Sequence, residues 1–145
     1  MLAHTAYREA EVAVNNLTGR PDAMRYHANP SVIYTVPEVA SVGRTEEECK
    51  EKNIPYEVKT LSMLYSGRFV AENEGTDGLC KILVHKEKRT ILGIHLLGAY
   101  AGEMIWGAAQ MLESQFKVTH GRQIIFPHPT VSEIIREVLW EFPDV

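Results

Sequence analysis

No glycine-rich phosphate cradle runs through this chain of 145 residues. Neither G-x-G-x-x-G nor G-x-x-x-x-G-K-[ST] is present, so the sequence carries no mark of building its own dinucleotide or phosphate site. Cysteine is scarce: Cys49 and Cys80 are the only two, and they form no C-x-x-C. That excludes a disulfide framework. The pair reads as buried free thiols of a reducing compartment, the cytoplasm. No apolar run approaches the roughly 18 residues that span a bilayer. The N-terminus, Met1-Leu2-Ala3-His4-Thr5, has neither the basic flank nor the apolar stretch of a signal peptide. An excess of positive charge is missing as well. With 15 Lys and Arg against 19 Asp and Glu, the net charge of −4 argues against an electrostatic grip on nucleic acid. Of the 6 histidines, no two fall at i, i+4 on a helix and none has a cysteine at ligand spacing, so no metal site is expected. There is no G-x-S-x-G, and neither cysteine has a histidine close in sequence, so no nucleophile is evident. Internal repeats and low-complexity tracts are absent.

What is present is ordinary globular composition, 45% hydrophobic and 23% charged, on a chain long enough to bury a core. Leu2, Ala6, Ala10, Ala13 and Leu17 recur at helical spacing and predict a helix over 2–17, stopped by Thr18-Gly19 and Pro21. Nothing before it can serve as an N-cap, so its first N–H groups lack a side-chain acceptor. Residues 20–31 read as a linker. A strand is expected over 31–35, interrupted at Pro37 and resumed over 39–42. Thr45-Glu46-Glu47-Glu48 is a capping box that opens a short helix to about residue 52. Further strands are expected over 56–63, 79–84 and 91–97, with Thr76-Asp77-Gly78 as a turn before the last two. Helices are expected over 102–116 and 131–142, each with an apolar face. Trp106 and Trp140 flank those faces and read as core packing. Strands followed by helices give an α+β class: an antiparallel sheet packed with helices.

The most informative stretch is Phe126-Pro127-His128-Pro129-Thr130-Val131-Ser132-Glu133. Two prolines restrict the backbone around one imidazole, and the His128-Pro129 bond is a candidate for cis. Glu133 lies in the first turn of the following helix. From there a carboxylate can turn back to the ring, fix its tautomer and raise its basicity, as a general base with an orienting acid requires. Thr130-x-x-Glu133 is also a capping box, in which Glu133 bonds the Thr130 N–H and touches no histidine. Spacing leaves both arrangements open. Glu38, after Pro37, reads as a turn residue in solvent.

The motif His128-Pro129-Thr130-Val131-Ser132-Glu133 resembles the C-terminal signature of the flavoprotein disulfide reductases, the pyridine nucleotide-disulfide oxidoreductases, in the dihydrolipoyl dehydrogenase manner. The stretch from Val32 through Thr35-Val36-Pro37-Glu38 to Gly43 resembles the start of that family's interface domain. Thr76-Asp77-Gly78 with Lys81-Ile82-Leu83, Ile91-Leu92-Gly93, Leu96-Leu97-Gly98 and Ala101-Gly102-Glu103-Met104-Ile105 follow the same pattern in order. Two positions depart from it: Phe126 and Val36 stand where dihydrolipoyl dehydrogenases often have histidine.

The resemblance implies the α+β dimerisation fold over 30–145, with 1–29 as the last helix of an FAD-binding domain and its linker. The glycine motifs and the redox cysteine pair would then belong to domains outside this stretch. It implies His128 as acid/base and Glu133 as its partner, serving the disulfide of the other subunit. Met1, Leu2, Ala3 and His4 would meet FAD at a helix N-terminus. The parent would oxidise dihydrolipoamide with FAD and NAD, as a homodimer and with dihydrolipoamide-bearing acyltransferases as possible partners. The chain by itself would hold no cofactor and be inactive. A glutathione- or mercury-type reductase domain, or a free-standing dimerisation module, are the alternatives.

Overall fold

Five strands make one sheet in the computed structural model, which describes residues 2–143. They are β1 (Ser31–Ile33), β2 (Val39–Gly43), β3 (Tyr56–Ser62), β4 (Leu79–His85) and β5 (Ile91–Leu97), ordered β1-β2-β5-β4-β3 and antiparallel throughout. The helices are α1 (Ala3–Leu17), α2 (Glu46–Glu51), α3 (Gly67–Glu72), α4 (Ala101–Glu113), α5 (Val118–Gln123) and α6 (Glu133–Trp140), with single 3-10 turns at Tyr26–Ala28 and Met63–Tyr65. The expected α+β class is what forms.

Residues two apart on a strand share a face. Ala40 and Val42 of β2, Cys80, Ile82 and Val84 of β4, and Ile94 and Leu96 of β5 line up in register on one face, all of them buried. Helices α4 and α6 cover that face with Met104, Ile105, Ala108, Met111 and Leu112 from the first and Ile134, Ile135, Val138 and Leu139 from the second. On the opposite face Lys81 Nζ and the Tyr56 hydroxyl reach Glu46 at 3.0 and 3.1 Å, and the His95 ring meets the Arg44 carbonyl at 3.0 Å. These contacts lay the 44–51 segment across the sheet. Leu83 and Cys49 are both fully buried outside the main core cluster. Burial on both faces explains why 82–84 is a continuous apolar run rather than an alternating one.

The crossing of 44 over β5 needs bare backbone beneath it: a Cβ at Gly93 would stand 2.1 Å from the Arg44 carbonyl oxygen. Gly43, just before the crossing, has φ +82°, and a Cβ there would stand 2.3 Å from the Leu92 carbonyl oxygen and 2.3 Å from Leu112 Cδ2.

Four expectations are corrected. Residues 39–42 do not resume the first strand; the chain reverses at Pro37 and β2 runs antiparallel to β1. The chain turns there through Thr35, whose hydroxyl donates to the Pro37 carbonyl at 2.7 Å. Glu38 does not dangle in solvent: its Oε2 accepts from the Gly102 N–H at 2.8 Å. It thereby caps α4, whose N-cap residue Tyr100 is left-handed and offers no side-chain acceptor. The tryptophans are not core. Trp106 is 74% exposed on the side of α4 away from its buried stripe, and Trp140 is 51% exposed under the guanidinium groups of Arg122 and Arg136, at 4.9 and 5.6 Å. Finally, α3 and α5 stand where no helix was expected. Each is six residues long with a glycine in it, too short for a helical period to register.

Helix α1 has no buried residue. It is tied to the 22–30 segment by polar contacts: Arg8 and Asn15 to Asp22, Thr5 to Asn29 and Tyr26 to Glu9.

Candidate functional site

The segment between α5 and α6 carries His128. Phe126 packs on the core at one end and Val131 is buried at the other. The backbone between them turns through a cis His128-Pro129 bond, as the proline pair predicts. The His128 side chain is 81% exposed.

His128 Nδ1 lies 2.9 Å from Glu133 Oε1, and the Thr130 N–H donates to Glu133 Oε2 at 2.9 Å. The two arrangements that the spacing left open are therefore present together, one on each carboxylate oxygen. Both bonds favour the ionised form, and the Thr130 N–H contributes most. The Glu133 carboxyl is held below its usual range, with burial opposing weakly. An ionised carboxylate only accepts. The ring proton is thus fixed on Nδ1, and Nε2 presents its lone pair to the surface.

Thr130 is the hub that sequence reading missed. Its hydroxyl donates to the Pro127 carbonyl at 2.7 Å and therefore accepts from Ser132 Oγ at 2.9 Å. Its carbonyl accepts from Ser66 Oγ at 3.2 Å, across 64 residues of sequence. No local signal points to Ser66, because only the fold brings it there. The far end of α6 is fixed too: Arg122 donates to the Leu139 carbonyl at 3.0 Å, an open acceptor of the last turn, and to the Phe142 carbonyl just beyond the helix.

The other predicted site residues stand apart. Leu2, Ala3 and His4 form the start of α1, with the His4 ring at 2.7 Å from the Pro30 carbonyl; Met1 lies outside the described residues. The first turn of α1 has no side-chain cap and no acidic residue. Among the described residues, no hydrogen bond joins this helix start to the 127–133 loop. Also among them, no group of three His, Cys, Asp or Glu could hold a metal ion, and no helix is long and apolar enough to cross a membrane. Both cysteines are free and buried, and burial pushes the Cys80 thiol far above its ordinary value.

This sheet-and-helix architecture, carrying a proline-framed histidine on a loop bound to the following helix, defines a class. Residues 29–139 match the family described as pyridine nucleotide-disulphide oxidoreductase, dimerisation domain, and the chain belongs to that family. Within it, the chain is 42% identical over 137 residues to mitochondrial dihydrolipoyl dehydrogenase of Rattus norvegicus, covering 94% of this chain and 27% of that protein. It is 39% identical over 137 residues to the leghemoglobin reductase of Glycine max, covering 94% of this chain and 26% of that protein. The chain thus spans about a quarter of the length of these relatives. The fold is shared with LpdA from Mycobacterium tuberculosis (TM-score 0.88, 21% identity, 96% of this chain and 30% of that one). It is shared also with the HOCl-induced flavoprotein disulfide reductase RclA from Escherichia coli (TM-score 0.84, 24% identity, 94% of this chain and 32% of that one).

Proposed function

We propose that this domain supplies the acid/base pair of a dihydrolipoyl dehydrogenase-like flavoenzyme, which oxidises dihydrolipoamide with FAD and NAD as a homodimer. In this reading residues 30–145 are the dimerisation domain and 1–29 the last helix of the FAD-binding domain with its linker. The observation that carries it is the 2.9 Å bond between His128 and Glu133, with Glu133 anchored again at the Thr130 N–H. His128 Nε2 takes a proton from the substrate dithiol and returns it on reversal. Glu133 holds the ring proton on Nδ1, leaving Nε2 as the nitrogen that takes the substrate proton, and stabilises the imidazolium once it forms. The pair serves the disulfide of the other subunit. The exposed ring fits that role, since the group it serves belongs outside this fold.

The free N–H groups at the start of α1, with Leu2, Ala3 and His4 beside them, suit the electron-rich edge of a flavin. Such a flavin, when bound, passes electrons between dithiol and nicotinamide. On its own the chain holds neither cofactor and is inert. Dihydrolipoamide-bearing acyltransferases are the partners that this substrate implies. Two buried free thiols fit a reducing compartment, the cytoplasm in this reading, whereas the rat relative is named mitochondrial.

The test is His128→Gln in the flavoprotein that carries this domain. Turnover of dihydrolipoamide with NAD falls roughly 10²–10⁴-fold, the usual worth of an acid/base, with dimerisation and flavin content unchanged. A fall of less than about threefold would remove His128 from the chemistry.

A further inference from the structure

Ser66 is the one buried polar residue among those described, 1% exposed. A hydroxyl has a single proton to give. Ser66 Oγ gives it to the Thr130 carbonyl at 3.2 Å, and accepts in turn from the Phe69 N–H at 3.4 Å. The side chain that caps α3 therefore also grips the loop of the histidine. Without it, the Thr130 carbonyl keeps only a long bond from the Glu133 N–H, at 3.4 Å.

We propose that Ser66 is a positioning residue for the His128–Glu133 pair, holding Thr130 where its N–H meets Glu133. Three groups of Thr130 are pinned: the hydroxyl by Pro127 and Ser132, the N–H by Glu133, and the carbonyl by Ser66. The first two lie within the loop and move with it. Among the described residues, the Ser66 bond is the one hydrogen bond that ties Thr130 to an element other than the loop and α6, beside the buried Met63 and Phe69. A carboxylate that must serve an exposed ring needs such an external reference. Otherwise the loop shifts as a unit and the carboxylate loses its aim. Ser66 itself is 1% exposed, so the donor lost on truncation is one held inside the fold. The proposal rests on the pair identified above, but its readouts need no turnover.

The experiment measures the His128 tautomer by long-range 15N–1H correlation, and the Glu133 carboxyl titration by 13C shifts, in the full chain. Ser66→Ala lowers the ratio of Nδ1–H to Nε2–H forms about five- to tenfold, on the scale of one hydrogen bond, and moves the Glu133 titration upward. Val70→Gly loosens α3 at an exposed site without touching Thr130, and leaves both readouts in place. In a Glu133→Gln background, Ser66→Ala changes the tautomer no further. Should the alanine variant not fold, Ser66→Cys keeps the site filled with a weak donor and falls between wild type and full loss. An unchanged ratio in Ser66→Ala or Ser66→Cys, or an equal shift in Val70→Gly, would overturn the proposal. Loss of the acid/base role in the whole enzyme would leave these readouts standing, so the two failures are distinguishable.

Discussion

Glu133→Gln is the sharpest single perturbation of the site, because an amide cannot accept from both of the carboxylate's neighbours. Oε2 accepts from the Thr130 N–H and Oε1 from His128 Nδ1, each at 2.9 Å. Glutamine brings one acceptor and one donor. The Thr130 N–H can only donate, so the amide oxygen must face it. The amide NH₂ then faces Nδ1, which must present a lone pair, and the ring proton moves to Nε2. The opposite flip sets two donors against each other and leaves a backbone donor unsatisfied, at a cost of roughly 1–3 kcal/mol. That difference favours the inverted tautomer by roughly five- to over a hundredfold. Stability drops by only about 1 kcal/mol, because both hydrogen bonds survive without their charge assistance. The nitrogen proposed to take the substrate proton is then already protonated. Turnover in the whole enzyme falls by roughly 10²–10⁴-fold, although no atom of the histidine has been removed. Long-range 15N–1H correlation on the chain reads the tautomer directly. If the glutamine variant keeps its proton on Nδ1, the argument that Glu133 sets the tautomer is wrong.

Two further outcomes concern the scaffold. Gly43→Ala combines a left-handed backbone with a Cβ 2.3 Å from a carbonyl oxygen, so roughly 2–5 kcal/mol is lost from conformational and packing strain together. Tm falls by about 10 °C or more, whereas Gly107→Ala, with nothing within 4 Å of its added Cβ, holds or gains; equal melts for the two would refute the close approach at 43. Stability also declines toward acid in two stages. Burial holds the His95 imidazole below its ordinary value, so the unfolded chain takes up that proton first and stability falls as pH drops below about 6.5. Neighbouring donors hold the carboxyls of Glu133, Asp77 and Glu46 low, so their contribution is complete above about pH 4.5 and lost as pH falls through their folded values. Urea midpoints across pH check both stages: His95→Gln removes the first, and a wild-type midpoint flat from pH 7 to 5 would contradict it.

The long amphipathic helices were legible because each repeats its burial period several times, and the three longer strands because turn signals bound runs of strand-forming residues. Met104, Ala108 and Met111, or Ile134, Ile135 and Val138, need only one face and a core to be read. The reversal at Pro37 was not, since 31–35 and 39–42 carry the same β-branched content whether the chain continues or turns back. His128 and Glu133 stood out through prolines and spacing, but spacing alone could not tell capping from ring contact, because a carboxylate has two oxygens and here does both. Ser66 was invisible for a different reason: no helix was expected after it to be capped, and only tertiary structure supplies its partner at Thr130.

The sheet's two outer strands restrict how any second copy of this chain meets it. Strand β1 is three residues long, and Pro30 and Pro37 on either side lack the N–H that a ladder would need. Strand β3 is longer but carries Glu57 and Lys59, charges that a neighbouring strand would have to accommodate directly opposite. Continuation of the ladder from molecule to molecule is blocked at one margin and discouraged at the other. Any self-association is therefore left to side chains presented by helices and loops, where a contact can close on a two-fold axis and stop, and the margins that seed open-ended fibres are kept out of use.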